Sequence, residues 1–222
     1  MGKKIIAIDG PAGAGKSTVA RLVADRLGYL YIDTGAMYRA LTLLAMEQNI
    51  SMNNEEELIA LAQKCEIALI NKNGRIVVYC NGKDVTEEIR QPKVSHYVSQ
   101  VAAIPGVRKR LVELQQSMAD SGGVVMDGRD ISTHVLPHAH CKFFLTASVT
   151  ERARRRCREL KENGFQITDE QVEADIRRRD VMDTQRKASP LVCAPDAIVI
   201  DSSNLTVPEV VETIIKYCER VR

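Results

Sequence analysis

The sequence predicts an α/β fold in which a five-stranded parallel sheet is flanked by helices in three layers. Short apolar runs alternate along the chain with stretches of helical spacing, and a glycine-rich turn joins the first run to the first helix. Strands separated by helices need crossover connections, which are right-handed and cover both faces of a parallel sheet. A β-rich span interrupts this alternation and predicts a small separate sheet.

Five apolar runs are candidates for buried strands of the main sheet. They are Lys4 to Asp9, Tyr29 to Asp33, Val124 to Asp127, Cys141 to Leu145 and Ala197 to Asp201. Several of these runs end in Asp, which places carboxylates at the edge where parallel sheets bind ligands. We therefore expect the functional site at that edge. A chain of 222 residues is long enough for one main domain.

The segment between the first strand and the first helix has the pattern of a phosphate-binding loop. Its glycines let consecutive backbone N–H groups turn toward one anion, and the N-terminus of the following helix adds partial positive charge. Lys16 can reach the outer phosphates of a nucleotide, and Ser17 can bind Mg²⁺. This pattern predicts a P-loop fold. The phosphates are expected to contact Gly10, Pro11, Ala12, Gly13, Ala14, Gly15, Lys16, Ser17 and Thr18.

The span from Glu66 to Ile89 predicts a small antiparallel insertion. It holds two β-rich runs divided by Asn73-Gly74, with a second hairpin signal at Asn81-Gly82. A helical stretch from Val94 to Ser117 is expected to return the chain to the main sheet.

Nine of the nineteen arginines lie between residues 151 and 186. They predict two Arg-rich helices that form a mobile lid facing phosphates, because arginine forks suit phosphate and carboxylate groups. Arg152 and Arg156 share one helix face, as do Arg179 and Asp183. The alternative is a pair of solvated helix faces. An amphipathic closing helix follows from Thr206 to Tyr217.

The composition limits the partners that the protein can have. A formal charge of +2, three Phe and no Trp argue against nucleic-acid binding. The six cysteines show no zinc-site spacing and are expected to be reduced thiols. No apolar stretch is long enough for a membrane span, and no signal sequence precedes the first strand. We expect a cytoplasmic protein.

A phosphate-binding loop alone allows a GTPase, a remodelling ATPase or a small-molecule kinase. A GTPase should carry Asn-Lys-x-Asp after a strand, and the chain has no such segment there. A remodelling ATPase usually needs more chain for coupling domains. A kinase must bind a second substrate opposite ATP and exclude water. The polar turns Asp33 to Arg39 and Asp127 to Asp130 supply groups for that second substrate.

Together these residues resemble the bacterial cytidylate kinases (CMP kinases), a family of nucleoside monophosphate kinases. The resemblance runs from about Ile5 to Arg220, and its most specific segments are DTGAMYR, SQVAA and DGRD. It implies a core of residues 1–34, 118–150 and 188–222. It further implies an NMP-binding region at 35–117 with the β insertion, and a helical Arg-rich lid at 151–187.

The resemblance also implies roles for individual residues. Lys16 would bridge the β and γ phosphates of ATP, with Ser17 on Mg²⁺ and Arg152 and Arg156 on the ATP side. Catalytic roles are expected for Lys16, Arg129, Arg156 and Arg186. The acceptor, CMP or dCMP, would contact Thr34, Arg39, Ser99, Arg108, Arg129, Asp130, Arg179, Asp183 and Arg186.

Two alternatives stay open on the sequence. A different monophosphate kinase or a shikimate-type kinase would share the loop and the lid but need another acceptor pocket. A non-catalytic nucleotide-binding module would keep the loop without needing the lid arginines. We expect a monomer that uses ATP, Mg²⁺ and a cytidine monophosphate, and that binds neither nucleic acid nor membrane.

Overall fold

The computed structural model describes residues 3–72 and 75–221. A five-stranded, all-parallel sheet forms the centre of the fold. Its strands are β1 (Ile5–Asp9), β2 (Leu30–Asp33), β6 (Val124–Gly128), β7 (Cys141–Thr146) and β8 (Ile198–Asp201). They lie side by side in the order β2-β6-β1-β7-β8. All five strands expected for the main sheet are therefore confirmed.

Burial of the central strand explains the composition of these runs. In β1, Ile6 aligns with Val125 of β6 and with Cys141 of β7. Strand β1 is covered on both faces, so Ile6, Ala7 and Ile8 are fully buried. A strand covered on both faces needs a continuous apolar run and not an alternating one.

Helices cover both faces of the sheet. They are α1 (Lys16–Leu27), α2 (Thr34–Glu47), α3 (Glu55–Lys64), α4 (Pro92–Ala102), α5 (Pro105–Ala119), α6 (Val149–Glu162), α7 (Asp169–Gln185) and α8 (Val207–Arg220). Val23 of α1 and Ile214 of α8 belong to one apolar core. Leu41 of α2 and Leu111 of α5 belong to the core on the other face. The predicted three-layer arrangement is confirmed.

The predicted antiparallel insertion is present. It consists of β3 (Ile67–Lys72), β4 (Arg75–Cys80) and β5 (Lys83–Asp84). Asn81 and Gly82 both adopt left-handed backbone angles, with φ of 50° and 78°, as a tight hairpin turn requires. The other expected turn, at Asn73-Gly74, lies outside the described residues.

The chain between the insertion and β6 differs from the sequence prediction. The single helical stretch expected over Val94 to Ser117 is two helices, α4 and α5. Ile104 has the extended angles φ −76° and ψ 118°, because the ring of Pro105 disfavours a helical residue before it. Pro105 then occupies the first turn of α5, where its missing N–H costs nothing.

The two Arg-rich helices α6 and α7 form a unit with a small apolar core of its own. That core includes Cys157 and Leu160 of α6 and Ile176 of α7. Thr168 begins α7 through a reciprocal capping box with Gln171. The closing helix α8 is capped in the same way by Thr206. Within the described part of the chain, no helix combines the length and apolar character that crossing a membrane requires.

Candidate active site

A cleft of about 1050 Å³ opens at the carboxyl edge of the parallel sheet. Its walls come from the loop before α1, the ends of β2 and β6, helices α4 and α5, and the Arg-rich helices α6 and α7. This is the edge at which the Asp-terminated strands predicted a site. Asp33 and Asp127 line the cleft, whereas Asp9 accepts hydrogen bonds from the backbone of Ile131 and Ser132.

The glycines of the loop are required by close backbone contacts. Gly10 has φ of +149°, and a Cβ there would lie 1.9 Å from the carbonyl oxygen of Leu145. Gly15 has φ of 85° and begins α1 without a side-chain cap. The first N–H groups of α1 are therefore left without a capping side chain, which is the arrangement that binds anions at a helix N-terminus.

Lys16 lies inside the loop, where its Nζ donates a 2.8 Å hydrogen bond to the carbonyl oxygen of Pro11. Burial, together with the charge of Arg129, lowers the pKa of Lys16 to about 7, while Asp127 opposes this shift. A phosphate beside the amine would favour the protonated form. The side chain is thus held where an anionic ligand would restore its charge.

Ser17, Asp127 and Tyr31 form a hydrogen-bonded chain at the end of β6. The Ser17 hydroxyl donates to one carboxylate oxygen of Asp127 at 3.1 Å, and the Tyr31 hydroxyl donates to the other at 2.8 Å. Burial and the nearby Asp33 raise the pKa of Asp127 to about 7. A bound cation beside these groups would favour the carboxylate.

This oxygen-rich corner fits Mg²⁺. Hydroxyl and carboxylate oxygens are the ligands that Mg²⁺ prefers, and Mg²⁺ is usually held by one or two protein groups plus substrate phosphates. Among residues 3–72 and 75–221, no cluster of three or more His, Cys, Asp or Glu could hold a metal ion. Ser17 and Asp127 therefore suit a metal that arrives with a nucleotide.

The polar turn after β2 places a cation at the cleft. Asp33 caps α2 by accepting from the Ala36 N–H at 2.8 Å, and its other oxygen contacts Arg39 at 3.3 Å. The buried Nε of Arg39 has no partner among the described residues. The Thr34 hydroxyl donates to the main-chain oxygen of Asp127 at 2.7 Å, so it joins the first residue of α2 to β6.

Asp130 is the centre of a buried ionic cluster. Arg108 of α5 donates to one of its carboxylate oxygens, and Arg186 contacts the other at 3.3 Å. All three side chains are almost fully buried. Two guanidinium groups around one carboxylate leave a net positive charge at this wall of the cleft.

Arg129 and the α7 side chains form a second charged group. The Nε of Arg129 donates to Asp183 at 2.8 Å. Burial would raise the pKa of Asp183, but Arg129 and Arg179 hold it below its ordinary value. Burial, followed by the charge of Arg129, lowers the pKa of Arg179 to about 10. The buried Nε of Arg179 has no partner among the described residues.

Helices α6 and α7 contact both the loop and α4. Arg152 lies behind the loop, where its guanidinium donates to the carbonyl oxygen of Ala12 at 2.9 Å and pairs with Asp180 at 2.8 Å. Arg156 of α6 donates to the Ser95 hydroxyl of α4 at 3.4 Å. Helix α6 therefore lies against α4, a helix that follows the insertion in the chain.

Most residues expected at the site on sequence grounds line this one cleft. They are Ala12 to Thr18, Thr34, Arg39, Ser99, Arg108, Arg129, Asp130, Arg156, Arg179, Asp183 and Arg186. Gly10, Pro11 and Arg152 do not line the cleft and instead support the loop.

Sequence reasoning gave Tyr31 no role. Its position in a buried strand was the available signal, because a buried phenol usually needs a hydrogen-bond partner.

The phosphate-binding loop, the oxygen-rich corner and the convergent arginines define a P-loop phosphotransferase. Comparisons with known proteins agree. The sequence model of the cytidylate kinase family matches residues 6–220, and the chain belongs to that family. A cytidylate kinase of Symbiobacterium thermophilum is 54% identical over 217 residues, covering 97% of this chain and 96% of the relative.

Other relatives give the same family and the same fold. A cytidylate kinase of Bacillus licheniformis is 51% identical, covering 99% of this chain and 98% of the relative. A solved shikimate kinase from Bacteroides thetaiotaomicron has a TM-score of 0.50 at 13% identity, covering 97% of this chain and 98% of that chain. At that identity the structural likeness concerns the fold alone.

Proposed function

We propose that the protein transfers the γ-phosphoryl group of ATP to CMP or dCMP and releases ADP with CDP or dCDP. The observation that carries this proposal is that one cleft joins the phosphate loop to the Asp130 cluster, so that a donor and a base-bearing acceptor can meet. Family membership and the names of the relatives support the same acceptor.

On the donor side, residues Ala12 to Thr18 hold the ATP phosphates, and Gly10 and Pro11 shape the loop behind them. Lys16 lies between the β and γ positions, and Ser17 with Asp127 would hold Mg²⁺. Mg²⁺ would neutralise charge on the phosphates and fix their orientation. Arg156 serves the donor phosphates, and Arg152 serves them indirectly by holding the loop at Ala12. The exposed side chains Leu205 and Val207 line the same cleft and offer an apolar wall for the purine.

On the acceptor side, we propose that Arg39 and Arg129 bind the CMP phosphate. Ser99, Arg108 and Asp130 surround the cytosine, and Thr34 supports that site through β6. Arg179 and Asp183 bind the ribose hydroxyls. Arg186 reaches the transferred group, and its ion pair with Asp130 couples base binding to the reacting phosphates.

The chemistry needs no covalent nucleophile of the protein. A CMP phosphate oxygen is already charged and attacks the γ-phosphorus directly, while the bond from that phosphorus to the ADP oxygen breaks. Lys16, Arg129, Arg156 and Arg186 offset the negative charge of the transferred group, and the lid keeps water away from it. Catalysis therefore consists of positioning and charge stabilisation.

The proposed division of the chain follows from these roles. Residues 1–34, 118–150 and 188–222 form the core, 35–117 the NMP-binding region and 151–187 the lid. We propose that the protein acts as a monomer. Because both substrates are cytoplasmic nucleotides, we place the protein in the cytoplasm, with no nucleic-acid or membrane partner.

A coupled ADP-release assay tests the proposal. The purified protein with ATP and Mg²⁺ is offered CMP, dCMP, UMP, AMP and shikimate in turn. CMP and dCMP should give the highest kcat/KM, and chelation of Mg²⁺ should abolish turnover. Activity on AMP or shikimate without activity on cytidine monophosphates would assign another acceptor. Nucleotide binding without any turnover would indicate a non-catalytic module.

A further inference from the structure

Tyr38 is a buried polar side chain that the roles above leave unused. It lies in α2, is 7% exposed and lines the cleft. Its hydroxyl has no hydrogen-bond partner among the described residues. A buried hydroxyl without a partner costs free energy, so a favourable contribution of Tyr38 to the cleft must come from its ring.

The ring faces the buried cluster around Asp130. The Arg108 guanidinium carbon lies 5.7 Å from the centroid of the Tyr38 ring, which is within the range of a cation–π contact. Other edges of the same guanidinium contact the carboxylate of Asp130 and the carbonyl oxygen of Ala102, the latter at 3.2 Å. The edges of the Arg108 guanidinium are thus held by the oxygens of Asp130 and Ala102, and the guanidinium also contacts the ring of Tyr38.

The phenol acts here as a neutral ring. Burial raises the pKa of Tyr38 to about 12, although Arg108 opposes that shift, so the hydroxyl stays protonated at neutral pH. The side chain of Gln115 lies beside the hydroxyl and also opposes the shift, and its amide Nε2 is buried without a partner among the described residues. Both Arg108 and Gln115 belong to α5, so α5 supplies the neighbours of the Tyr38 side chain.

We propose that Tyr38 is a specificity-determining positioning residue. Its ring fixes the plane of Arg108, and Arg108 in turn fixes the carboxylate of Asp130 that faces the acceptor base. Without the ring, Arg108 would keep its contacts with Asp130 and the carbonyl oxygen of Ala102 but lose the contact that fixes its plane, so the carboxylate of Asp130 would be oriented less firmly. Discrimination between a 4-amino and a 4-oxo pyrimidine would then fall. This inference rests on the proposed cytidine acceptor.

Two substitutions distinguish the contribution of the Tyr38 ring to specificity from that of its hydroxyl. Tyr38→Leu removes the ring, and the ratio of kcat/KM for CMP over UMP should fall about ten-fold, the order expected for a desolvated cation–π contact, while KM for ATP stays near the wild-type value. Tyr38→Phe keeps the ring and should hold the ratio within about two-fold of wild type. Its unfolding temperature should stay close to that of wild type, because the hydroxyl makes no hydrogen bond of normal geometry.

Leu41→Ala is the matched control, since Leu41 is a fully buried residue of α2 that does not line the cleft. It should lower the unfolding temperature without changing the CMP to UMP ratio. If Tyr38→Leu does not fold, Tyr38→Met takes its place, because methionine fills the space without a ring. A folded ringless variant with the wild-type ratio would overturn the inference. A wild-type protein without preference for CMP would instead refute the proposed acceptor.

Discussion

The hydroxyl of Ser17 donates a 3.1 Å hydrogen bond to the carboxylate of Asp127. This bond joins the first turn of α1 to the end of β6, and it brings together the two side chains whose oxygens are the proposed ligands of Mg²⁺. Ser17→Ala removes one of them. The Mg²⁺ concentration that gives half-maximal ADP release should rise about ten-fold or more.

The measurement varies free Mg²⁺ at saturating ATP and CMP. Ser117→Ala serves as the control, because the Ser117 hydroxyl is on α5 and donates only to the carbonyl oxygen of Leu114. That variant should keep the wild-type Mg²⁺ dependence. The same dependence in Ser17→Ala would show that the hydroxyl does not hold the metal.

Lys16 should act on the transition state more than on substrate binding. Lys16→Ala removes one preorganised charge at the transferred group, so kcat should fall about 100-fold or more while KM for CMP changes little. Lys64→Ala, at an exposed position in the last turn of α3, should have wild-type kcat. A folded Lys16→Ala protein with near wild-type turnover would place the chemistry elsewhere.

The pKa of Lys16 predicts proton uptake when ATP binds. In the free protein burial lowers this pKa to about 7, so the amine is mostly neutral at pH 8 and mostly charged at pH 6. The ATP phosphates favour the charged form. Binding of Mg²⁺-free ATP at pH 8 should therefore take up protons on Lys16. At pH 6 Lys16 is already charged and should take up almost none.

Isothermal titration calorimetry in two buffers with different ionisation enthalpies measures this uptake. At pH 8 the observed heat should depend on the buffer for wild type and much less for Lys16→Ala. Equal dependence in both proteins would assign the proton to another group.

The fold was predictable where local chemistry decides it. Neighbouring residues alone determine the local structure of three features: the apolar runs, the Gly10 to Thr18 loop and the Asn81-Gly82 turn. The break at Ile104 was missed because apolar spacing continues on both sides of Pro105. The strand order depends on pairing between distant runs, and the spacing of the sequence does not encode it.

The sequence predicted which residues line the candidate site, but it did not predict which of them contact one another. Motifs placed arginines near phosphates, yet the contact of Arg152 with Ala12 joins residues 140 positions apart. The hydrogen bond between Tyr31 and Asp127 spans 96 positions. Such contacts follow from the packing of whole elements, so they appear only in the structure.

Asp130 should decide between cytosine and uracil. Cytosine carries a 4-amino donor where uracil carries a 4-oxo acceptor, and a carboxylate attracts the first and repels the second. Asp130→Asn introduces an amide that donates as well as accepts, so the ratio of kcat/KM for CMP over UMP should narrow. Steady-state kinetics with both acceptors measures this.

The same substitution also removes the charge that Arg108 and Arg186 share, so the unfolding temperature must be checked alongside the kinetics. Asp120→Asn, at an exposed position after α5, controls for loss of one negative charge. Should Asp130→Asn fold normally and keep the wild-type ratio, base recognition would lie elsewhere in the cleft.

The lid of residues 151–187 should become ordered when both nucleotides are bound. Many of its arginines pair with acidic side chains, as Arg152 does with Asp180 and Arg156 with Glu159. Closure over ATP and CMP would exchange such pairs for phosphate contacts while expelling water. The contacts from Arg156 to Ser95 at 3.4 Å and from Arg178 to the His96 carbonyl at 3.1 Å are those that closure would strengthen. Amide hydrogen exchange follows this ordering.

Exchange between Arg152 and Arg186 should slow markedly with a bisubstrate ligand joining adenosine to cytidine, and less with either nucleotide alone. Helix α3 contributes no residue to the cleft, and its exchange should respond little, which makes it an internal reference. Arg156→Ala should lower kcat more than CMP affinity, because its phosphate contacts are completed only on closure. If exchange across the lid stays constant with and without the bisubstrate ligand, the arginines form a solvated helix surface, because a closing lid must gain protection as its cleft fills.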